Sequence, residues 1–155
     1  MAAVKSPLSD DALKVTGEAL QGSLIDLIDL SLLAKQAHWN LRGRNFKVVH
    51  EHLDEVVALA RNAQDEVAER AVTIGVNPDG RVRTVADRTP LQQLEAGYLD
   101  DDKVVAAITD LLAQMIARFR ERIAATDEPD QVTQDLLISV TSKLEEQHWM
   151  FQAQV

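Results

Sequence analysis

Apolar residues recur at three- and four-residue steps through four long runs of this 155-residue chain, and half of its glycines and prolines lie between two of those runs. That spacing is the period of an amphipathic helix, and no segment shows the alternating β-branched pattern of a strand. The first run, about Ser9 to Leu41, carries Leu20, Leu24, Leu27, Ser31, Ala34 and His38. Ser9 suits an N-cap, and Asp10 and Asp11 follow it in the first turn. Gly43 interrupts the pattern. The second run, about Asn45 to Ile74, carries Val49, Leu53, Val56, Ala60, Ala63 and Val67 and stops at Gly75, a natural C-cap. A third, near Asp102 to Ala125, carries Val105, Ile108, Leu112, Met115 and Phe119. The fourth begins at Pro129, a residue suited to a first helical turn, and carries Leu136, Val140, Leu144 and Phe151.

Four helices with short first and third links and one long middle connection predict an all-α fold, the ferritin-like four-helix bundle with a single crossover. Gly75, Pro78, Gly80, Pro90 and Gly97 mark that crossover. Val82 to Arg88 and Leu91 to Glu95 have weak helical character, so the crossover is expected to carry a short helix between helices 2 and 3. The length fits one domain over 1–155, with 1–8 as a short N-terminal tail.

Composition removes several functional classes. No apolar stretch approaches a membrane span, and the start of the chain shows no apolar leader, so a cytoplasmic protein is expected. The absence of cysteine excludes disulfide scaffolds, thiolate zinc sites and cysteine nucleophiles. With 25 acidic against 16 basic residues and a net charge of −9, the chain is a poor match for a phosphate backbone. There is no glycine-rich phosphate loop, no G-x-S-x-G elbow and no His-Glu-x-x-His pair.

What remains is a set of histidines and carboxylates. His38 closes the first helix. His50 and Asp54 are i,i+4 on the second, as are Asp65 and Glu69, a spacing that puts two side chains on one face within reach of one metal ion. At about 100° per residue from Val49, the core stripe lies within about 40° of zero, and these four residues fall between roughly 100° and 200°. They share a face that points away from their own core. The two pairs are centred roughly 22 Å apart along the helix, too far for one ion. Two copies of this helix crossing antiparallel near Leu59 and Ala60 remove the difficulty. His50 and Asp54 of one chain then come opposite Asp65 and Glu69 of the other, and an isologous dimer makes two identical sites. Ala58 permits the approach, and His38 completes the His50/Asp54 side. Two imidazoles and three carboxylates suit Fe(II), Mn(II) or Zn(II). Singly, an i,i+4 His/Asp pair is more often a solvated surface pair, and a histidine on an apolar stripe a packed one; what carries the argument is that all five meet one symmetry requirement.

The remaining candidates are weaker. Glu145-x-x-His148 matches half of an inward-facing di-iron motif and lacks its second copy, so it reads as a solvated helix end. His52 has no evident partner and reads as surface. Arg118, Arg120 and Arg122 are expected on different faces in ordinary ion pairs. Asp127, Glu128, Asp130 and Asp135 at the start of the fourth helix either complement its dipole or line a cation entrance in an oligomer, and the dipole is the simpler reading.

At these residues the sequence resembles the Dps family, the mini-ferritins or DNA-binding proteins from starved cells. The matching text is KQAHWNLRGRNF, VVHEHLDE, DEVAERAVTIG and the tail LLISVTSKLEEQHWMFQA, covering most of the chain. The resemblance implies a hollow homododecamer with a ferroxidase site between two-fold-related chains. His38, His50 and Asp54 come from one chain and Asp65 and Glu69 from its mate. It implies Trp39 as an electron donor beside the site, and a three-fold iron pore at Asp127, Asp130 and Asp135. The implied reaction oxidises Fe(II) with hydrogen peroxide, or more slowly with O₂, and stores the ferric product as mineral, protecting against oxidative stress. Family members that bind DNA use basic tails. Here only Lys5 precedes the first helix, and twelve copies at −9 each carry −108, so DNA binding is expected to be weak or absent. Two other activities compete: a DNA-compacting stress protein, and a metal-dependent amide or ester hydrolase at the same inter-subunit site.

Overall fold

The computed structural model describes residues 5–154. Residues 1–4 of the expected N-terminal tail, and Val155, lie outside the described residues. The elements in chain order are α1 (Asp10–Asn40), β1 (Leu41–Arg42), α2 (Phe46–Thr73), α3 (Val82–Arg88), β2 (Leu99–Asp100), α4 (Asp101–Thr126) and α5 (Gln131–Gln152). α1 and α2 form one hairpin and α4 and α5 the other, joined mainly through α1 against α4.

The helix ends follow their sequence signals. Ser9 Oγ accepts a hydrogen bond from Ala12 N at 3.3 Å, satisfying one of the unpaired donors of α1. α2 ends in a Schellman turn: Gly75 takes φ +90°, Gly75 N donates to Val72 O at 3.0 Å, and Val76 N donates to Ala71 O at 2.8 Å. α5 differs from expectation. It starts at Gln131, because Asp130 supplies the cap by accepting from Val132 N at 3.3 Å, which leaves Pro129 in the preceding turn.

The expected stripes of α1, α2 and α4 are buried. On α5 the expected Val140, Leu144 and Phe151 are fully buried, and only Leu136 departs: it is half-buried at the flank while its neighbour Leu137 is fully buried. In the crossover, Val82–Arg88 is helical as expected and anchors through Val85. Leu91 to Glu95 is not helical. There, Thr89 Oγ1 and Gln93 Nε2 donate to the buried carboxylate of Asp29 on α1, and Pro90 precludes a regular continuation.

Two features go beyond the all-helical expectation. β1 and β2 pair in parallel, Leu41 with Leu99 and Arg42 with Asp100, and clip the end of the crossover to the α1–α2 turn. Gly43 makes that turn at φ +142°, where an added Cβ would lie 2.2 Å from the Asp101 carboxylate that accepts from Asn45 N. Arg118 and Arg122, moreover, do not point to different faces. One turn apart, they converge on the fully buried Asp26, at 3.0 and 2.7 Å, and only Arg120 turns aside to Glu145. Among the described residues no helix is long and apolar enough to cross a membrane.

Candidate metal centre

The centre is built where the last turn of α1 meets the first turn of α2. His38 is buried and His50 half-buried. Their rings stack with centroids 3.5 Å apart and planes 21° from parallel, and Phe46 stacks on the outer face of His50 at 5.0 Å. Each imidazole bonds the other residue's backbone: His38 Nδ1 to His50 O, and His50 Nδ1 to His38 O, both at 2.9 Å. A carbonyl can only accept, so both Nδ1 atoms carry a proton, and each ring in its neutral form keeps its free lone pair on Nε2. This reciprocal pair fixes the tautomers and ring orientations that metal-ligating histidines require.

Asp54 stands one turn after His50. Its Oδ1 lies 3.4 Å from His38 Nδ1, and Lys35 forms an ion pair with the same oxygen. The hydrogen bond from Lys35 holds the Asp54 carboxyl below the usual carboxylate range; it outweighs the opposing desolvation and is helped by the charge of Lys35 and by that of His38 and His50 when protonated. His38, His50 and Asp54 are thus brought together within one chain. Lys35 is a member of this cluster that the sequence reading passed over. Its only signal was its place one turn before His38.

Asp65 and Glu69 lie further along α2 and are both exposed. One chain does not bring them to the other three, and among the described residues neither His38, His50 and Asp54 nor any other three His, Asp or Glu side chains are placed to hold a metal ion by themselves. The donor chemistry nonetheless suits a borderline divalent cation, with two imidazole nitrogens free and an ionised carboxylate beside them.

Trp39 presents its indole to solvent beside His38, with 66% of the residue exposed. Of the acids expected at a pore, Asp127 and Asp135 are exposed, and Asp127 accepts from Gln134 Nε2 at 3.1 Å. Asp130 departs from that expectation. It is buried, caps α5, and accepts from Arg70 Nη2 at 2.7 Å and from Thr133. Burial acts to raise its pKa, but the hydrogen bonds from Thr133 and Arg70 and the charge of Arg70 prevail and hold it below the ordinary range. His52 is not a surface residue either. It stacks on Phe151 at 4.1 Å, its Nε2 pairs with Gln147 Oε1 at 2.9 Å, and its Nδ1 lies 3.3 Å from Gln154 Nε2. Its partners come from the far end of α5, which no local pattern connects to α2. Glu145 pairs with Arg120 and takes no part in the centre.

A family model described as a ferritin-like domain matches residues 17–155. The chain is 33% identical over 141 residues to DNA protection during starvation protein 2 of Deinococcus radiodurans, covering 91% of this chain and 58% of that one. It thus spans less than two thirds of that relative's length. It is 37% identical over 150 residues to the DNA protection during starvation protein of Mycolicibacterium smegmatis, covering 94% of this chain and 80% of the relative. The tetragonal form of Mycobacterium smegmatis Dps superposes with a TM-score of 0.93 at 32% identity, covering 99% of this chain and 93% of that one.

Proposed function

On the premise that this chain belongs to the Dps family of the ferritin-like superfamily, we propose that it oxidises and stores iron, with Fe(II) as substrate at sites shared between two-fold-related copies. Iron storage and protection during starvation follow from the family. The finer reading rests on the reciprocal His38–His50 pair, which leaves two Nε2 lone pairs beside an ionised Asp54. Asp65 and Glu69 of the second copy complete the ligand set. Their exposure on the same helix face, unpaired with the first three in one chain, is what a shared site requires.

In the reaction, two Fe(II) ions lose one electron each. Hydrogen peroxide accepts both, its O–O bond breaks, and two protons complete two waters. Carboxylates favour the harder ferric product and neutral imidazoles hold the ferrous substrate. Nδ1 of each imidazole stays committed to a carbonyl, so neither ring has to turn as iron enters or leaves. Trp39, exposed beside the centre, is the proposed donor for a stray oxidising equivalent, and Asp127 and Asp135 the proposed pore acids, with Asp130 behind them holding the start of α5. A homododecameric cage in the cytoplasm stores the ferric mineral. O₂ serves as the slower oxidant. At −9 per chain, protection works by consuming Fe(II) and peroxide together rather than by coating DNA.

The test is anaerobic Fe(II) loading followed by stoichiometric peroxide, with iron and protein followed together through size exclusion. Ferric iron co-eluting with a species near 200 kDa, twelve times 17.2 kDa, is the expected result. Oxidation no faster than in buffer, with no iron retained, removes the proposal.

A further inference from the structure

Asp54 has its counter-cation in place, and the other half of the proposed shared site does not. Within one chain neither Asp65 nor Glu69 has an ion-pair partner among the described residues. Between Asp54 and Asp65 the sequence carries one cation, Arg61. It is exposed on α2, again with no ion-pair partner among the described residues. Stepping about 100° per residue from Val49 puts Arg61 near 120°, inside the arc that holds His50, Asp54, Asp65 and Glu69.

Direction matters as well as angle. Side chains on a helix lean toward its N-terminus. Arg61 therefore leans toward Val57 and Ala58, which offer it no acid, while Asp65, one turn on, leans back toward Arg61. In the antiparallel crossing that brings position 50 opposite 69 and 54 opposite 65, position 61 falls opposite 58, so Arg61 meets the small Ala58 of the second copy. That leaves a long guanidinium room at the crossing, one turn from its own Asp65 and from Asp54 of the second copy.

We infer that Arg61 is a positioning residue, the counter-cation of the Asp65/Glu69 half of the site, as Lys35 is of Asp54. This rests on the shared site proposed above. Three carboxylates would otherwise stand together in the metal-free state. Lys35 from one chain and Arg61 from the other offset their mutual repulsion. An entering divalent ion then has to displace or outcompete both cations, which limits how tightly unreactive divalent ions are held.

The experiment is titration of the assembled protein with Co(II) alone, followed by calorimetry and by the visible Co(II) bands, for wild type, Arg61→Gln, Arg61→Lys and His50→Ala. Removing a unit charge about 7 Å from a divalent ion at an effective dielectric near 60 is expected to tighten Co(II) binding about tenfold. Stoichiometry should not change. Arg61→Lys should stay within about twofold of wild type, and about 0.5 M salt should shrink the Arg61→Gln effect. If His50→Ala abolishes Co(II) binding while Arg61→Gln binds as wild type does, the role of Arg61 is overturned and the site stands. If Arg61→Lys changes affinity as much as Arg61→Gln, shape rather than charge is at work and the inference fails. If Co(II) binding survives His50→Ala, the shared site itself falls, and the inference falls with it.

Discussion

Asp26→Ala removes the one carboxylate that two arginines share inside the α1–α4 contact. Asp26 is fully buried, the Arg122 side chain is 12% exposed and that of Arg118 37%. Burial lowers the pKa of Arg122, and the charge of Asp26 pulls it back up. Without Asp26, Arg122 keeps, among the described residues, Ser23 Oγ at 3.4 Å, the Phe119 ring, whose centroid is 5.3 Å from Cζ, and the weaker influence of the Glu121 charge. Gly22 is packed against it too closely for easy escape, since even a Cβ there would lie 2.9 Å from Nη2. Leaving one partner of a buried pair uncompensated costs roughly 3–5 kcal/mol. Arg118, better hydrated, adds about 1 kcal/mol at most. At roughly 2–4 °C per kcal/mol for a domain of this size, the melting temperature should fall by about 10 °C. Urea and thermal unfolding followed by circular dichroism, at one fixed protein concentration because association contributes, measures this. Arg118→Ala should cost far less than Asp26→Ala, and a triple replacement of Asp26, Arg118 and Arg122 by leucine should recover most of the loss. If Asp26→Ala loses under about 1 kcal/mol, or no more than Arg118→Ala, the account of this buried cluster is wrong.

Three further outcomes follow from the same geometry. His38→Ala removes one Nε2 ligand and the ring stacked on His50 but keeps the carbonyl that holds His50 Nδ1, so initial Fe(II) oxidation by peroxide, read by stopped-flow absorbance, should fall about as much as for His50→Ala. Asp130→Asn should destabilise by about 1–3 kcal/mol at neutral pH through loss of the charged bond to Arg70 and a weaker cap. Because the Asp130 pKa is depressed on folding, its contribution is complete above the unfolded value, near 3.9, and is lost as pH falls through the folded one; the gap between wild type and Asp130→Asn in acid titrations should therefore close only below about pH 3.9. His52→Ala, which releases the far end of α5 from α2, should raise amide exchange at residues 147–154 while leaving exchange in α4 unchanged.

The long helices were legible because one strong period runs through each, and burying that stripe is what forms them. The failures share a cause: they depend on contacts between distant segments. A two-residue strand such as Leu41–Arg42 is too short to show alternation, and only its approach to Leu99 makes it a strand. Leu91 to Glu95 has passable helix propensity, but Asp29 claims Thr89 and Gln93 as partners. The candidate site divides in the same way. The sequence could place His50 with Asp54, and Asp65 with Glu69, since each pair is one helical turn apart. It could not show that His38 and His50 lock each other's tautomers, or that Lys35 reaches Asp54, since both depend on how α1 crosses α2.

The clasps on the crossover have a kinetic consequence. Gln21 exchanges hydrogen bonds with the Asp79 backbone, and Leu41 pairs with Leu99, each across 58 residues. The His38–His50 pair spans only 12. Loop closure costs more entropy as the loop lengthens, so the short link forms first and the long ones close late. Both imidazoles of the pair are also synthesised well before Asp127 or Asp135. The His38–His50 contact can thus form before the crossover closes.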